Sequence, residues 1–138
     1  MNLQALELQK ALAQAVANGV NEKWERIVVN YEMQTTDEGR EVDYCAFYIS
    51  ATNDDFRETS IRELASAVDD LFIKLNDTMA ETEKSRWSIA DLVIDRSGKY
   101  DFKFDYGPAK RLNGVFDESS QGRFDKYLDT YRAERAAH

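Results

Sequence analysis

With 138 residues, 43% of them hydrophobic and 12% aromatic, the chain can bury one core as a single domain spanning 1–138 without disulfide or metal staples. Its 26 acidic residues against 18 basic ones give a formal net charge of −8. That field excludes the usual electrostatics of nucleic-acid and anionic-membrane binding, which need a basic face, and favours a basic partner.

In chain order, Asn2 to Gly19 is predicted as a helix, with Asn2 as N-cap, Leu8, Leu12, Ala15, Val16 and Gly19 on one stripe, and Gly19 ending it. The same stretch has neither the basic start nor the unbroken apolar run of an export signal. No segment reaches the roughly 20 apolar residues of a membrane span, which points to the cytoplasm. Trp24 to Thr35 reads as a strand whose core face is Trp24, Ile27, Val29, Tyr31 and Met33. A turn at 36–39 leads to an aromatic strand, Val42 to Ser50, expected inside the sheet, with the lone Cys45 as a small buried hydrophobe. Ala51 to Thr59 fits either an edge strand or a loop.

Ser60-Ile61-Arg62-Glu63 has the capping-box pattern, in which Ser60 and Glu63 satisfy each other's backbone donors. It opens a second helix whose stripe runs through Ile61, Leu64, Ala65, Val68, Leu71, Phe72, Leu75 and Met79 to about Glu83. Trp87 to Asp95 and Tyr100 to Tyr106 form a hairpin about Ser97-Gly98. Tyr100, Phe102, Phe104 and Tyr106 alternate with Asp101, Lys103 and Asp105, so one face should bury four rings while the other carries only charge. A last helix starts at Ser120 or Gln121 and places Phe124, Tyr127, Leu128 and Tyr131 on one stripe. The fold class is α+β: an antiparallel sheet of about four to five strands with helices on one face, in the order α-β-β-α-β-β-α. The opposite face is expected to stay open for contact.

Reactive groupings are scarce. The single histidine is His138, which leaves no Ser-His-Asp or Cys-His arrangement and no histidine-bearing metal site. The acidic pairs Asp54-Asp55, Asp69-Asp70 and Asp117-Glu118 lack EF-hand spacing, and neither GxGxxG nor a Walker lysine motif occurs. A non-enzymatic chain without cofactor or metal is expected. Negative charge concentrates in the middle: Asp37, Glu38, Glu41, Asp43, Asp54, Asp55 and Glu58 face only Arg40 and Arg57.

Three blocks resemble one family. They are the tryptophan-led strand Glu22-Lys23-Trp24-Glu25-Arg26-Ile27-Val28-Val29, the strand ending Phe47-Tyr48-Ile49, and Leu92 to Tyr106 with its aliphatic run, D-x-x-G-K and aromatic–acid alternation. Together with the long helix and Trp87-Ser88 they resemble the YezG-like (EsaG-type) antitoxin family of bacterial immunity proteins, over most of Val20 to Tyr106. The chain departs from that pattern in a longer, more helical tail around 122–127. The resemblance implies an immunity protein that binds a cognate secreted toxin, commonly a nuclease, and blocks it without catalysis. An acidic surface suits such a partner, because a nuclease presents a basic groove to phosphate. Candidate contacts are Asp37, Glu38, Glu41, Asp54, Asp55, Glu58, Asp101 and Asp105, with Tyr106 as an aromatic anchor. Two other readings stand beside it: a small-molecule site between sheet and helices, for which the inward positions read as nearly all apolar, and an adaptor or homo-oligomer using the open sheet face.

Overall fold

The computed structural model describes residues 3–50, 53–59, 65–83, 85–115 and 118–136; at 53, 54, 58, 59, 65, 66 and 118–121 it describes the backbone alone. The β-branched run after Trp24 becomes the central strand, β1 (Arg26–Thr36). Around it β2 (Gly39–Ser50), β3 (Asn53–Thr59), β4 (Ile89–Asp95) and β5 (Tyr100–Asp105) form an antiparallel sheet ordered β3-β2-β1-β4-β5. The ambiguous segment is thus an edge strand. Its pairing with β2 is irregular, with a register shift between Ile49 and Ser50.

Strand alternation sends Ile27, Val29, Tyr31 and Met33 to the face covered by α1 (Leu3–Gly19) and α2 (Ala65–Ala80). From these helices Leu8, Leu12 and Val16 meet Val68, Phe72, Leu75 and Met79 in one core with Leu92 and Trp87. Phe72 stacks on Tyr31 with ring centroids 4.1 Å apart and meets Trp87 edge-on at 6.5 Å. Asn76, fully buried, ties α2 to the next strand by donating to the Trp87 carbonyl at 2.8 Å and accepting from Arg86. The N-cap Asn2, the Ser60–Glu63 capping box and His138 lie outside the described residues.

The α+β class, the antiparallel sheet and the element order follow the sequence reading. The open face does not. Helices on one face holds for α1 and α2, whereas α3 (Glu118–Ala136) crosses the opposite face, joined by the segment 107–115 with its short 3-10 turn Arg111–Asn113. The reason is the aromatic stripe of α3, which needs cover. Phe124 meets Phe47 edge-on at 4.9 Å, Tyr131 lies under the Arg26 guanidinium, and Leu128 is buried. Beneath α3 and this segment β1 contributes Arg26, Val28, Asn30 and Glu32, every one of them buried. Cys45, on β2, is half-buried where a buried side chain was expected.

The four rings expected in the core of the last hairpin are only partly there. Phe102 and Phe104 are half-buried, while Tyr100 and Tyr106 are 37% and 43% exposed, because β5 is the outermost strand. The β4–β5 turn needs Gly98, whose φ of +96° lets its N–H reach the Asp95 carbonyl at 2.9 Å.

Candidate protein-binding surfaces

The nine residues singled out in the sequence fall into three groups. Asp37 and Glu38 form the two-residue tip between Thr36 and Gly39, which pair as the last rung of the β1–β2 hairpin, and Glu41 follows on β2. All three are exposed. Glu41 accepts from the Gln34 amide across the hairpin at 2.8 Å, a neutral partner that leaves its charge in place. The cation of this stretch, Arg40, turns away to Asp77 on α2 at 3.1 Å, where Arg86 also donates. Partial burial pushes the Asp77 carboxyl up, but the bonds from Arg86 and Arg40 outweigh it and hold the group below the usual carboxylate range. Among the described residues no cation reaches Asp37, Glu38 or Glu41, so the tip stays negative.

A second group, Asp54, Asp55 and Glu58, sits on edge strand β3. Asp55 is exposed and stands 3.8 Å from Arg132 of α3, a surface contact worth about 0–1 kcal/mol. The side chains of Asp54 and Glu58 lie outside the described residues. The third group belongs to the opposite edge. Asp101 and Asp105 are exposed on β5, and the Asp105 carboxylate accepts the Gly107 N–H at 2.8 Å. Tyr106 donates to Glu83 at 2.6 Å, and partial burial with that carboxylate raises its phenol to about 12. Four inter-strand steps separate β3 from β5, about 19 Å at ordinary strand spacing. The nine residues are not one patch.

A polar seam under the C-terminal segment was not legible in the sequence. Glu32, 1% exposed, accepts the backbone N–H groups of Lys110 and Leu112 at 3.0 and 3.2 Å, and the Arg111 guanidinium lies 3.5 Å away. Arg111 also donates to the Asn30 side chain and to Asp43 at 2.8 Å. One rung along, buried Asp91 accepts from Asn30 at 2.6 Å, Arg123 at 3.2 Å and Tyr127 at 2.8 Å. Burial, then the Asp91 charge, pushes the Tyr127 phenol well up. At the far end Arg26 bridges Asp95 and Glu134, each at 2.6 Å; burial opposes its charge, but the two carboxylates outweigh burial and raise its pKa. Arg26, Asn30 and Glu32 alternate with apolar neighbours, which a sequence alone reads as a solvated face. Nothing in the spacing of Arg111 and Arg123 announces that they cover it.

Beside this seam a cleft of about 330 Å³ opens between α3 and the β4–β5 hairpin. Asp95, Asp101 and Glu134 line it together with Arg26, Lys99 and Lys103, so its charge is balanced. The inward positions expected to be nearly all apolar therefore include a polar row, but one satisfied from within the chain.

A protein-family model described as YezG-like immunity protein matches residues 6–130. A search of curated proteins finds no match.

Proposed function

Because the chain belongs to the YezG-like immunity protein family, we propose that it neutralises a cognate secreted bacterial toxin, a nuclease or other nucleic-acid-targeting effector, by binding it in the cytoplasm without catalysis. The observation that carries this reading is the β1–β2 tip, where Asp37, Glu38 and Glu41 project with the neighbouring Arg40 drawn away. A nuclease has to present a basic groove to phosphate, and a projecting hairpin of carboxylates can occupy that groove as a substrate mimic. With the net charge of −8, such a tip also steers encounter, so association should be fast and salt-sensitive. The acids of β3 are a second contact region on the same reading.

The test is co-expression with the toxin encoded beside the chain, followed by binding kinetics. The triple variant D37K/E38K/E41K should fold normally, protect poorly, and bind with an on-rate roughly tenfold or more lower and a flatter salt dependence. The variant D54K/D55K/E58K asks the same of β3. Unchanged protection, on-rate and salt dependence in both variants would remove the electrostatic mechanism. A toxin that the chain neither binds nor silences would remove the toxin-binding reading itself.

A further inference from the structure

The segment Lys99-Tyr100-Asp101-Phe102-Lys103-Phe104-Asp105 has charges that invert about Phe102. Turned end for end beside itself, it sets Lys99 opposite Asp105, Asp101 opposite Lys103, and Tyr100 opposite Phe104. We propose that β5 pairs antiparallel with β5 of a second copy of this chain about a twofold axis at Phe102, joining two five-stranded sheets into one.

The backbone supports this register. Asp95 donates to the Lys99 carbonyl at 2.8 Å, which makes 95 and 99 a hydrogen-bonded pair. Alternation along an antiparallel ladder then turns the backbone groups of Asp101, Lys103 and Asp105 toward β4 and those of Tyr100, Phe102 and Phe104 off the sheet. The outward set is the set that pairing about Phe102 matches: 100 with 104, 102 with itself, 104 with 100. The β4–β5 register is unbroken, so β5 presents a regular edge, unlike the bulged β3.

The side chains select the same register. A slip by one residue moves every ring to the wrong face. A slip by two in one direction sets Asp101 against Asp101 and Lys99 against Lys103. In the other direction it sets Lys103 against Lys103 and Asp101 against Asp105. Only the register centred on Phe102 joins opposite charges at every position; neither lysine nor Asp101 has an ion-pair partner among the described residues, although the Lys103 ammonium lies over the Tyr127 ring at 5.4 Å. On the ring side, Phe102 stacks on Phe104 at 5.6 Å and meets Tyr100 edge-on at 6.1 Å, a half-exposed row that a second copy would cover. Above this edge runs a stripe of α1 whose Lys10, Ala13 and Ala17 face Tyr100 across a cleft. Leu3 and Leu6 continue that stripe, 71% and 45% exposed, and the twofold brings the two copies of the stripe toward each other.

The experiment is sedimentation of the purified full chain, without toxin, over a range of concentrations. The expected result is reversible association from 15.9 kDa to about twice that mass. K103D places Asp against Asp101 and D101K places Lys against Lys103, twice each across the axis, so either should weaken the dimer about tenfold or more. The double variant D101K/K103D restores opposite charges and should recover most of the affinity, a rescue that general surface disruption cannot produce. A chain that stays monomeric at every concentration overturns the proposal. So does a dimer indifferent to both single variants, or a double variant as weak as the singles. Protection of the β5 amides by toxin in a monomeric chain would assign the edge to the toxin instead, and would likewise overturn it.

Discussion

Replacing Arg111 with alanine tests whether the C-terminal segment is held by charge. The guanidinium serves three side chains, buried Glu32, Asn30 and Asp43, the last 47% exposed, and reaches the backbone carbonyls of Asn30 and Asp43 at 3.3 and 3.4 Å. The Asp43 pair is close to water and contributes at most about 1 kcal/mol. Glu32 dominates, because stripping the partner from a buried charge costs about 3–5 kcal/mol. The Lys110 and Leu112 N–H groups still solvate that carboxylate, which places R111A near the lower end, about 3 kcal/mol. With an unfolding entropy of about 2.1 cal/mol/K per residue, 138 residues give about 0.29 kcal/mol/K, so the melting temperature should fall by about 10 °C. E32Q alone should cost about 1 kcal/mol, since the amide oxygen can still accept the two N–H groups. The double variant R111A/E32Q removes the stranded charge and should cost about 2 kcal/mol, clearly less than the sum of the singles. Urea unfolding of the four proteins measures each term. A loss below about 1 kcal/mol for R111A, or strict additivity in the cycle, would refute the reasoning.

Asp91 gathers Asn30, Arg123 and Tyr127, so D91A should loosen α3 and accelerate amide exchange across 123–131 by about a hundredfold while the β1–β2 ladder stays protected; equal acceleration in both would show global destabilisation instead. Phe72, fully buried between Tyr31 and Trp87, should cost about 4 kcal/mol as F72A, read from the urea midpoint. The phenols of Tyr31, Tyr106 and Tyr127 are all raised, first by burial and then by Asp69, Glu83 and Asp91 respectively. Folding therefore favours their protonated forms. The stability they contribute is complete below about pH 10, where a free phenol titrates, and is lost as pH climbs through the folded values, Tyr106 at about 12. Ultraviolet titration should show Tyr106 moving down toward 10 in E83Q; no movement would sever it from Glu83.

Much of the fold was legible because its core obeys simple periods. Ile27, Val29, Tyr31 and Met33 alternate, Val68, Phe72, Leu75 and Met79 recur at helical spacing, and both sets meet in one core. Failures came where one residue type has two readings. Arg26, Asn30 and Glu32 have the periodicity of a solvated face, and a sequence cannot say that the segment 107–115 and the helix after it will cover them. The rings of β5 look like a core face, but exposure depends on strand order, and the outermost strand has one neighbour to hide against. Of the candidate site, the individual acids could be named; their distribution over a tip and two opposite edges is a property of topology. No local spacing encodes it.

On the function proposed for this chain, the charge distribution then narrows where a basic toxin would bind. A carboxylate already bonded to an arginine of its own chain offers less further field, and this weakens the case for Glu32, Asp43, Asp91, Asp95 and Glu134, which share Arg111, Arg123 and Arg26. On the dimer proposed above, Asp101 and Asp105 face lysines of the second copy, so β5 is self-complementary instead of acidic. Asp55 lies near Arg132. Of the candidate acids whose side chains are described, Asp37, Glu38 and Glu41 are left without a cation, at the end of the β1–β2 ladder, which runs to Thr36 while the backbone bonds from β1 toward the β4 side stop at Met33, whose N–H reaches the Ser88 carbonyl at 2.8 Å. Past Met33 the two-stranded ribbon continues for about three residues, or roughly 10 Å, to its exposed tip. A narrow negative ribbon is the shape that enters a groove built for a phosphate backbone, whereas a flat sheet face is not. Among the candidate acids, a charge reversal at the tip should therefore weaken toxin binding more than one at either sheet edge.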